Sequence, residues 1–302
     1  MSEFKKYKVF IGDKFVDFAD ANLSVASSAV LYGLSVYTVF PVNKTEKGLA
    51  AFRLKDHFKR LQESSHIIGI DKFNDQWTYE EFTKKVKELI ELNNVEEDVF
   101  IRASVHVDEI LPGTRSRNLS TVLSMFIYPN TSIVPRDGCR LKTSLWRRVP
   151  DTSIPARAKV NGAYVNSVLA KQDAIDSGYD DCIFLDHNGH VSESSAANVF
   201  IVRNSTLITP DKSSDLLEGI NRKTVLEIAR NLGIKVEKRL VDLTELYVAD
   251  EVFLCGTSAY ISPVFEVDSR KVGTGEHRIT TKIQEAYLEA THSSDSKFLE
   301  YL

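Results

Sequence analysis

Lys159 stands in the stretch ARAKVNGAYVNSVLAKQDA, residues 156–174, among Ala156, Ala158, Val160, Gly162 and Ala163, with Tyr164 just beyond. A lysine is ordinarily a solvated cation. Set among small apolar residues, its charged form loses hydration, a neutral fraction persists, and that amine can attack an aldehyde. The residues alone leave both readings open. A second stretch, EGINRKT at 218–224, puts a glycine ahead of a helix start. There the N–H groups of Ile220 and Asn221 have no intrahelical acceptor and suit either a routine cap or a phosphate. In CGTSA, residues 255–259, a strand ends where Thr257 offers a hydroxyl and an N–H, either in a plain turn or toward a second phosphate contact. Glu193, in VSESSAAN, is either solvated or paired with a cationic ring nitrogen. An amine, two phosphate cradles, a carboxylate and the Tyr164 phenol are together the parts that a pyridoxal 5′-phosphate site requires.

Other chemistries lose ground by what the sequence lacks. It contains no G-x-G-x-x-G, no Walker loop, no G-x-S-x-G and no H-E-x-x-H, and its seven histidines do not cluster with carboxylates at metal spacing. Nicotinamide, ATP, serine-hydrolase and zinc chemistry are thereby disfavoured, and no metal is expected. A net charge of −4 argues against nucleic acid or an anionic membrane as the main partner. No apolar run approaches the roughly 18 residues that span a bilayer, and no secretory leader is read at the start. Cys139, Cys182 and Cys255 are scattered without C-x-x-C spacing, which suits reduced thiols and a cytoplasmic location.

These groups must be held by elements, and 302 residues exceed the usual span of one core. Residues 8–18 read as a hairpin turning at Gly12-Asp13. Leu54, Phe58, Leu61 and Ile68 fall on one helical face that closes at Gly69, and Phe82, Val86, Leu89 and Ile90 repeat the pattern. Strands are expected near 99–107 and 121–128, and YPNTSIVPRDG, residues 128–138, reads as a linker. Beyond it, DDCIFLDHNGHVSES is a hairpin about Asn188-Gly189, VFIVRNSTLITP a strand pair, and LLEGINRKTVLEIARNLGI a helix that opens near Gly219 and is capped at Gly233. The sum is an α+β chain of two domains. Residues 1–129 form a small N-terminal α/β domain, 130–137 a linker, and 138–302 a larger, strand-rich C-terminal α/β domain.

The blocks KVNGAYVNSVLA, FLDHNGHVSESSAANVFIV, TLITP, LLEGINRKTV and DEVFLCGTSAYISPV, in that order, resemble the fold-type IV pyridoxal-phosphate enzymes, and FRLKDHFKRLQESSHIIGI extends the likeness toward the N-terminus. That family holds branched-chain and D-amino-acid aminotransferases, (R)-selective amine transaminases and aminodeoxychorismate lyase. The resemblance implies a two-domain, D-amino-acid-aminotransferase-like fold with the cofactor between the domains, in a homodimer or larger homo-oligomer whose neighbouring subunit completes the substrate pocket. It implies that Lys159 joins the cofactor's aldehyde and carries the substrate α-proton, that Glu193 pairs with the pyridine nitrogen, and that Tyr164 bonds the phenolic oxygen. Arg60, the N–H groups of Ile220 and Asn221, and Thr257 would hold the phosphate, while Leu217 packs on the ring. Tyr37, Val39, Arg102, Arg115, Ser258 and Ala259 would meet the substrate. The reaction implied is a ping-pong transfer of an amino group from a hydrophobic, branched-chain-like amino acid or amine to a 2-oxo acid.

Val36-Tyr37-Thr38-Val39-Phe40-Pro41 departs from the branched-chain pattern F-E-G-I-R. Its V-Y-x-V part keeps an (R)-amine or D-amino-acid transaminase in view, with a lyase or a non-catalytic binder as further alternatives.

Overall fold

The computed structural model describes residues 6–302, which divide into two compact units. Unit one holds the residues up to Asn130 together with Ala158–Gly162 and Ala290–Leu302. Its strands are β1 (Val9–Ile11), β2 (Lys14–Val16), β3 (Ser35–Thr45), β4 (Gly48–Phe52), β5 (Val99–Val107), β6 (Thr121–Pro129) and, from the C-terminus, β16 (Leu299–Tyr301). They form one seven-stranded antiparallel sheet in the order β16-β4-β3-β5-β6-β1-β2. The expected β1–β2 hairpin is present, with Gly12 in the left-handed conformation its turn requires.

Strand alternation decides what this sheet can carry. Along β3, Val36, Thr38, Phe40 and Val42 are fully buried. Phe40 packs on His57 of helix α2 (Leu54–Ile67) and on Phe82 of helix α4 (Tyr79–Leu92), so this face holds the core. The short helices α1 (Ser28–Tyr32) and α3 (Lys72–Gln76) complete the unit. The intervening residues Tyr37 and Val39 point to the opposite face because successive strand residues alternate. Val39 lies opposite Arg102 in the β3–β5 register, which brings that guanidinium to the same face.

Unit two comprises Thr131–Arg157 and Ala163–Glu289. Its strands are β7 (Cys139–Thr143), β8 (Asp181–Leu185), β9 (Val191–Ser194), β10 (Asn198–Arg203), β11 (Thr206–Pro210), β12 (Lys235–Arg239), β13 (Glu251–Gly256), β14 (Tyr260–Val267) and β15 (Arg270–Lys271). Its helices are α5 (Tyr164–Asp176), α6 (Ile220–Asn231), α7 (Leu243–Tyr247) and α8 (Arg278–His292), the last turn of which counts with unit one. The sheet runs β12-β11-β10-β13-β14-β7-β8-β9, with β15 beside β14, and β9 pairs back onto β10 through Glu193 and Asn198. Six strands thereby close into a ring, and Leu141, Ile183, Val191, Val199, Leu254 and Val264 from them share one buried cluster.

The α+β class is as expected, and the leading stretch of unit one ends at Asn130. Two stretches of the later sequence nevertheless belong to unit one's sheet rather than to a continuous 138–302 block. β16 pairs with β4, and Val160 forms a bridge with Val36.

Candidate active site

In unit one the chemistry gathers along β3. Residues 159–161 lie against its edge: Tyr37 N donates to the Lys159 carbonyl at 3.0 Å, and Asn161 N donates to the Ser35 carbonyl at 2.9 Å. The Lys159 N–H is taken by Ser64 Oγ of α2 at 3.1 Å. Gly33 stands beside Gly162, and a Cβ on Gly33 would come 3.0 Å from the Gly162 Cα, so the close approach needs glycine there. Backbone contacts of this kind fix where Lys159 leaves the chain. Its Nζ is 4.9 Å from the centroid of the Tyr37 ring, and the Arg102 guanidinium lies over the same ring at 3.6 Å. Cations over an aromatic face are attracted by its quadrupole, so one phenol organises both. Arg102 Nη2 also donates to Asn161 Oδ1 at 2.9 Å.

On the other face of β3, Arg60 Nη2 donates to Thr38 Oγ1 at 3.1 Å, and Thr38 Oγ1 is 2.8 Å from His57 Nδ1. Burial holds the His57 pKa well below its ordinary value, and Arg60, Lys159 and Arg53 add to the effect. His57 is therefore a neutral hydrogen-bonding partner beside these basic side chains. His106, on the same face as Arg102, is likewise pushed down to about 4, first by burial and then by Arg102. Anions are favoured where cations are concentrated and carboxylates are few.

Unit two gathers the other groups. Glu193 lies on β9 inside a donor shell: Oε1 accepts from Arg148 Nε at 2.9 Å, while Oε2 accepts from Asn198 Nδ2 at 3.0 Å and from Leu217 N at 3.2 Å. Every one of these partners donates, as an ionised carboxylate demands. Asn198 Nδ2 also donates to the Leu217 carbonyl at 2.9 Å, tying Glu193 to the segment that opens α6. Gly219 is the N-cap of that helix and offers no capping side chain. A Cβ there would stand 2.2 Å from Asn198 Oδ1. The start of α6 thus has open N–H groups because Asn198 occupies the space a cap would need. Asn221 turns its amide inward, donating to Tyr287 Oη at 2.6 Å, and its Oδ1 is buried without a hydrogen-bond partner.

The remaining expected residues fall as follows. Tyr164 opens α5 half-buried, and Thr257 and Ser258 are half-buried after β13. Ser258 uses its carbonyl to accept from Ile133 N and Ser132 Oγ. Ala259 packs its methyl in the ring's core, leaving only its backbone for contacts. Arg115 is exposed in the loop between β5 and β6.

Side chains that hold these groups were not singled out by sequence reasoning for that role: Thr38, His57, Ser64 and Asn161 in unit one, Arg148 and Asn198 in unit two. Asn198 had a usable signal, since the SSAA turn between it and Glu193 makes the two face across a hairpin. Arg148 had none, lying 45 residues from Glu193 in an irregular segment.

A family model described as Amino-transferase class IV matches residues 35–267. Over 298 residues the chain is 35% identical to a probable branched-chain-amino-acid aminotransferase of Aquifex aeolicus (strain VF5), covering 97% of this chain and 95% of that relative. Among solved structures it resembles a branched-chain aminotransferase from Thermoproteus uzoniensis with norvaline, at a TM-score of 0.91 and 34% identity over 97% of this chain and 98% of that one. It also resembles the branched-chain amino acid aminotransferase of Thermobaculum terrenum in its PLP form, at 0.90 and 29% identity over 99% of both chains.

Proposed function

Because the chain belongs to the class IV aminotransferase family, we propose that it moves the amino group of a branched-chain L-amino acid to a 2-oxo acid by a ping-pong route. Branched-chain relatives support this choice of substrate over an amine or a D-amino acid. The observation that carries the reading is the Tyr37 ring with Lys159 Nζ and the Arg102 guanidinium both against it. An amine base and a carboxylate-binding fork on one sheet face are what an α-amino acid substrate asks for.

Pyridoxal 5′-phosphate, the enzyme's cofactor, supplies an electron sink for the substrate α-carbon and a carrier for the amino group. The residues fit it on two counts: the uncapped start of α6 beside a glycine that tolerates no Cβ, and the buried carboxylate of Glu193 oriented by Arg148, Asn198 and Leu217. Lys159 would hold it covalently. The N–H groups of Ile220 and Asn221, with Thr257 and Arg60, would hold its phosphate, Tyr164 its phenolic oxygen, Glu193 its ring nitrogen, and Leu217 its ring face. Within the reaction, Lys159 Nζ takes the proton from the substrate α-carbon. Glu193 keeps a proton on the ring nitrogen, and Arg102 orients the substrate through its carboxylate. Val39 and Tyr37 give the side-chain pocket an apolar wall. Ser258, Ala259 and Arg115 complete the substrate side in this reading.

The enzyme works as a homodimer. Leu145, Val165 and Val168, at 83%, 64% and 65% exposure, make an apolar surface with Trp146 and Leu169 that a second copy would cover. No described helix is long and apolar enough to cross a membrane. The three free cysteines are all buried, with their thiols pushed up by burial, which is compatible with the reducing cytoplasm as its location.

The test is a single half-reaction. Holoenzyme mixed with L-leucine and no acceptor should release one equivalent of 4-methyl-2-oxopentanoate per subunit and then stop, and Lys159→Ala should release none. Continuous release of an oxo acid without acceptor would mean a lyase.

A further inference from the structure

We propose that Lys171 is a positioning residue, which ties the Thr257–Ser258 turn and the Glu193 hairpin to one buried ion pair; this rests on the reading of Thr257 and Glu193 given above. All the residues involved belong to unit two. Lys171 lies on α5 in step with Ser167, Ala170 and Ala174, the buried residues of that helix. Ala170 and Ala174 share a cluster with Cys182 and Phe184 of β8, so helix and strand lie close. The lysine is held along the same side, with its side chain 26% exposed.

Two arms leave the ammonium. One runs to the segment after β6: Lys171 Nζ donates to the Ile133 carbonyl at 3.0 Å, and Ile133 N donates to the Ser258 carbonyl at 2.9 Å. Ser132 Oγ donates to the same Ser258 carbonyl at 3.2 Å, so two consecutive residues grip that turn. The other arm runs to Asp181, fully buried at the head of β8, whose Oδ2 is 3.6 Å from Lys171 Nζ. The same Oδ2 accepts from Ser195 Oγ at 3.0 Å, and Oδ1 accepts from Cys182 N at 2.7 Å. Ser195 stands two residues beyond Glu193, in the turn that brings Glu193 opposite Asn198.

A buried ion pair is a poor device for stability alone. Its desolvation offsets most of its attraction, and a neutral pair of similar shape holds a fold about as well. A neutral pair lacks a cation that serves a carbonyl on one side and a carboxylate on the other. Lys171 does both, because a compact ammonium carries three donors on a flexible stem. Through it the turn that carries Thr257 and the hairpin that carries Glu193 are held as one body.

The probe is pyridoxal 5′-phosphate, its affinity read by equilibrium dialysis and its seating by the visible circular dichroism of the holoenzyme. Lys171→Met leaves the buried Asp181 without its counter-charge and should lower the unfolding midpoint by on the order of 10 °C. Adding Asp181→Asn removes the stranded charge, and the new amide can still accept from Cys182 N and donate to Ser195 Oγ. The double variant should recover a midpoint within about 3 °C of wild type, yet bind the cofactor about five-fold more weakly and with a diminished dichroic band. A role in stability alone predicts instead that affinity returns with the midpoint. Ser195→Ala, which cuts only the second arm, should leave affinity within about two-fold and slow the leucine half-reaction about five-fold. Wild-type affinity and dichroism in the double variant, with Thr257→Val weakened, overturn the role of Lys171 alone. An unaltered half-reaction in Ser195→Ala overturns the Asp181 arm, whether or not the double variant folds. Undiminished affinity in Thr257→Val overturns the phosphate reading of that turn and this inference with it.

Discussion

Glutamine in place of Glu193 is nearly isosteric, yet the network around that carboxylate has a fixed direction. The Leu217 N–H is backbone and can only donate. Asn198 cannot flip to meet an amide, because its Nδ2 also donates to the Leu217 carbonyl at 2.9 Å. The oxygen of a glutamine must therefore turn to Asn198 and Leu217, and its NH2 then confronts Arg148 Nε–H, donor against donor. Arg148 and Glu193 are only 12% and 8% exposed, so water cannot replace the lost bond. One hydrogen bond to a charged group disappears, worth about 1.5–3 kcal/mol, and the guanidinium loses its counter-charge. Removing a partner of a buried pair outright costs about 3–5 kcal/mol, which sets the ceiling. Glu193→Gln should therefore destabilise the cofactor-free protein by about 2–4 kcal/mol in denaturant unfolding. Arg148→Gln in the same background should cost much less than it does alone, revealing a coupling above about 1 kcal/mol. A loss under about 0.5 kcal/mol, or strict additivity, would refute the donor-shell argument. On the reading of Glu193 as ring-nitrogen partner, stopped-flow measurement of the leucine half-reaction should show a slower proton transfer in the same variant.

Gly219→Ala should lower stability by about 1–3 kcal/mol through overpacking against Asn198 Oδ1. It should also weaken pyridoxal 5′-phosphate binding measured by equilibrium dialysis, and unchanged binding would remove α6 from the phosphate site. The pH dependence has a definite sign at His106, whose ordinary value of 6.5 is pushed down to about 4 in the folded chain. Below the ordinary value the unfolded chain binds the extra proton, so this contribution is intact above pH 6.5 and is lost toward pH 4. The slope is about 1.4 kcal/mol per pH unit and the total about 3 kcal/mol. Stability measured against pH should be flatter by that amount in His106→Gln, which can still reach Ser124; identical slopes would show that the imidazole titrates normally.

Local pattern carried much of the fold. Leu54, Phe58 and Leu61 at helical spacing, the alternation in 99–107, the Asn188-Gly189 turn and the glycine ahead of Ile220 each act within a few residues, so the sequence alone determined α2, β5, the β8–β9 hairpin and the start of α6. Residue types fixed the available chemistry in the same way: a lysine among alanines, a glutamate after a turn, an arginine on a strand. The pairing of these groups was decided elsewhere. Lys159 meets Ser64 across 95 residues, Arg102 meets Asn161 across 59, and Glu193 meets Arg148 across 45. No periodicity encodes such meetings. They arise because strand pairing brings 159–161 to the edge of β3 and closes β9 onto β10, and that pairing is set by the burial of whole faces. The sequence determined which groups could react, and the tertiary structure decided which of them share a face and which hold one another in place.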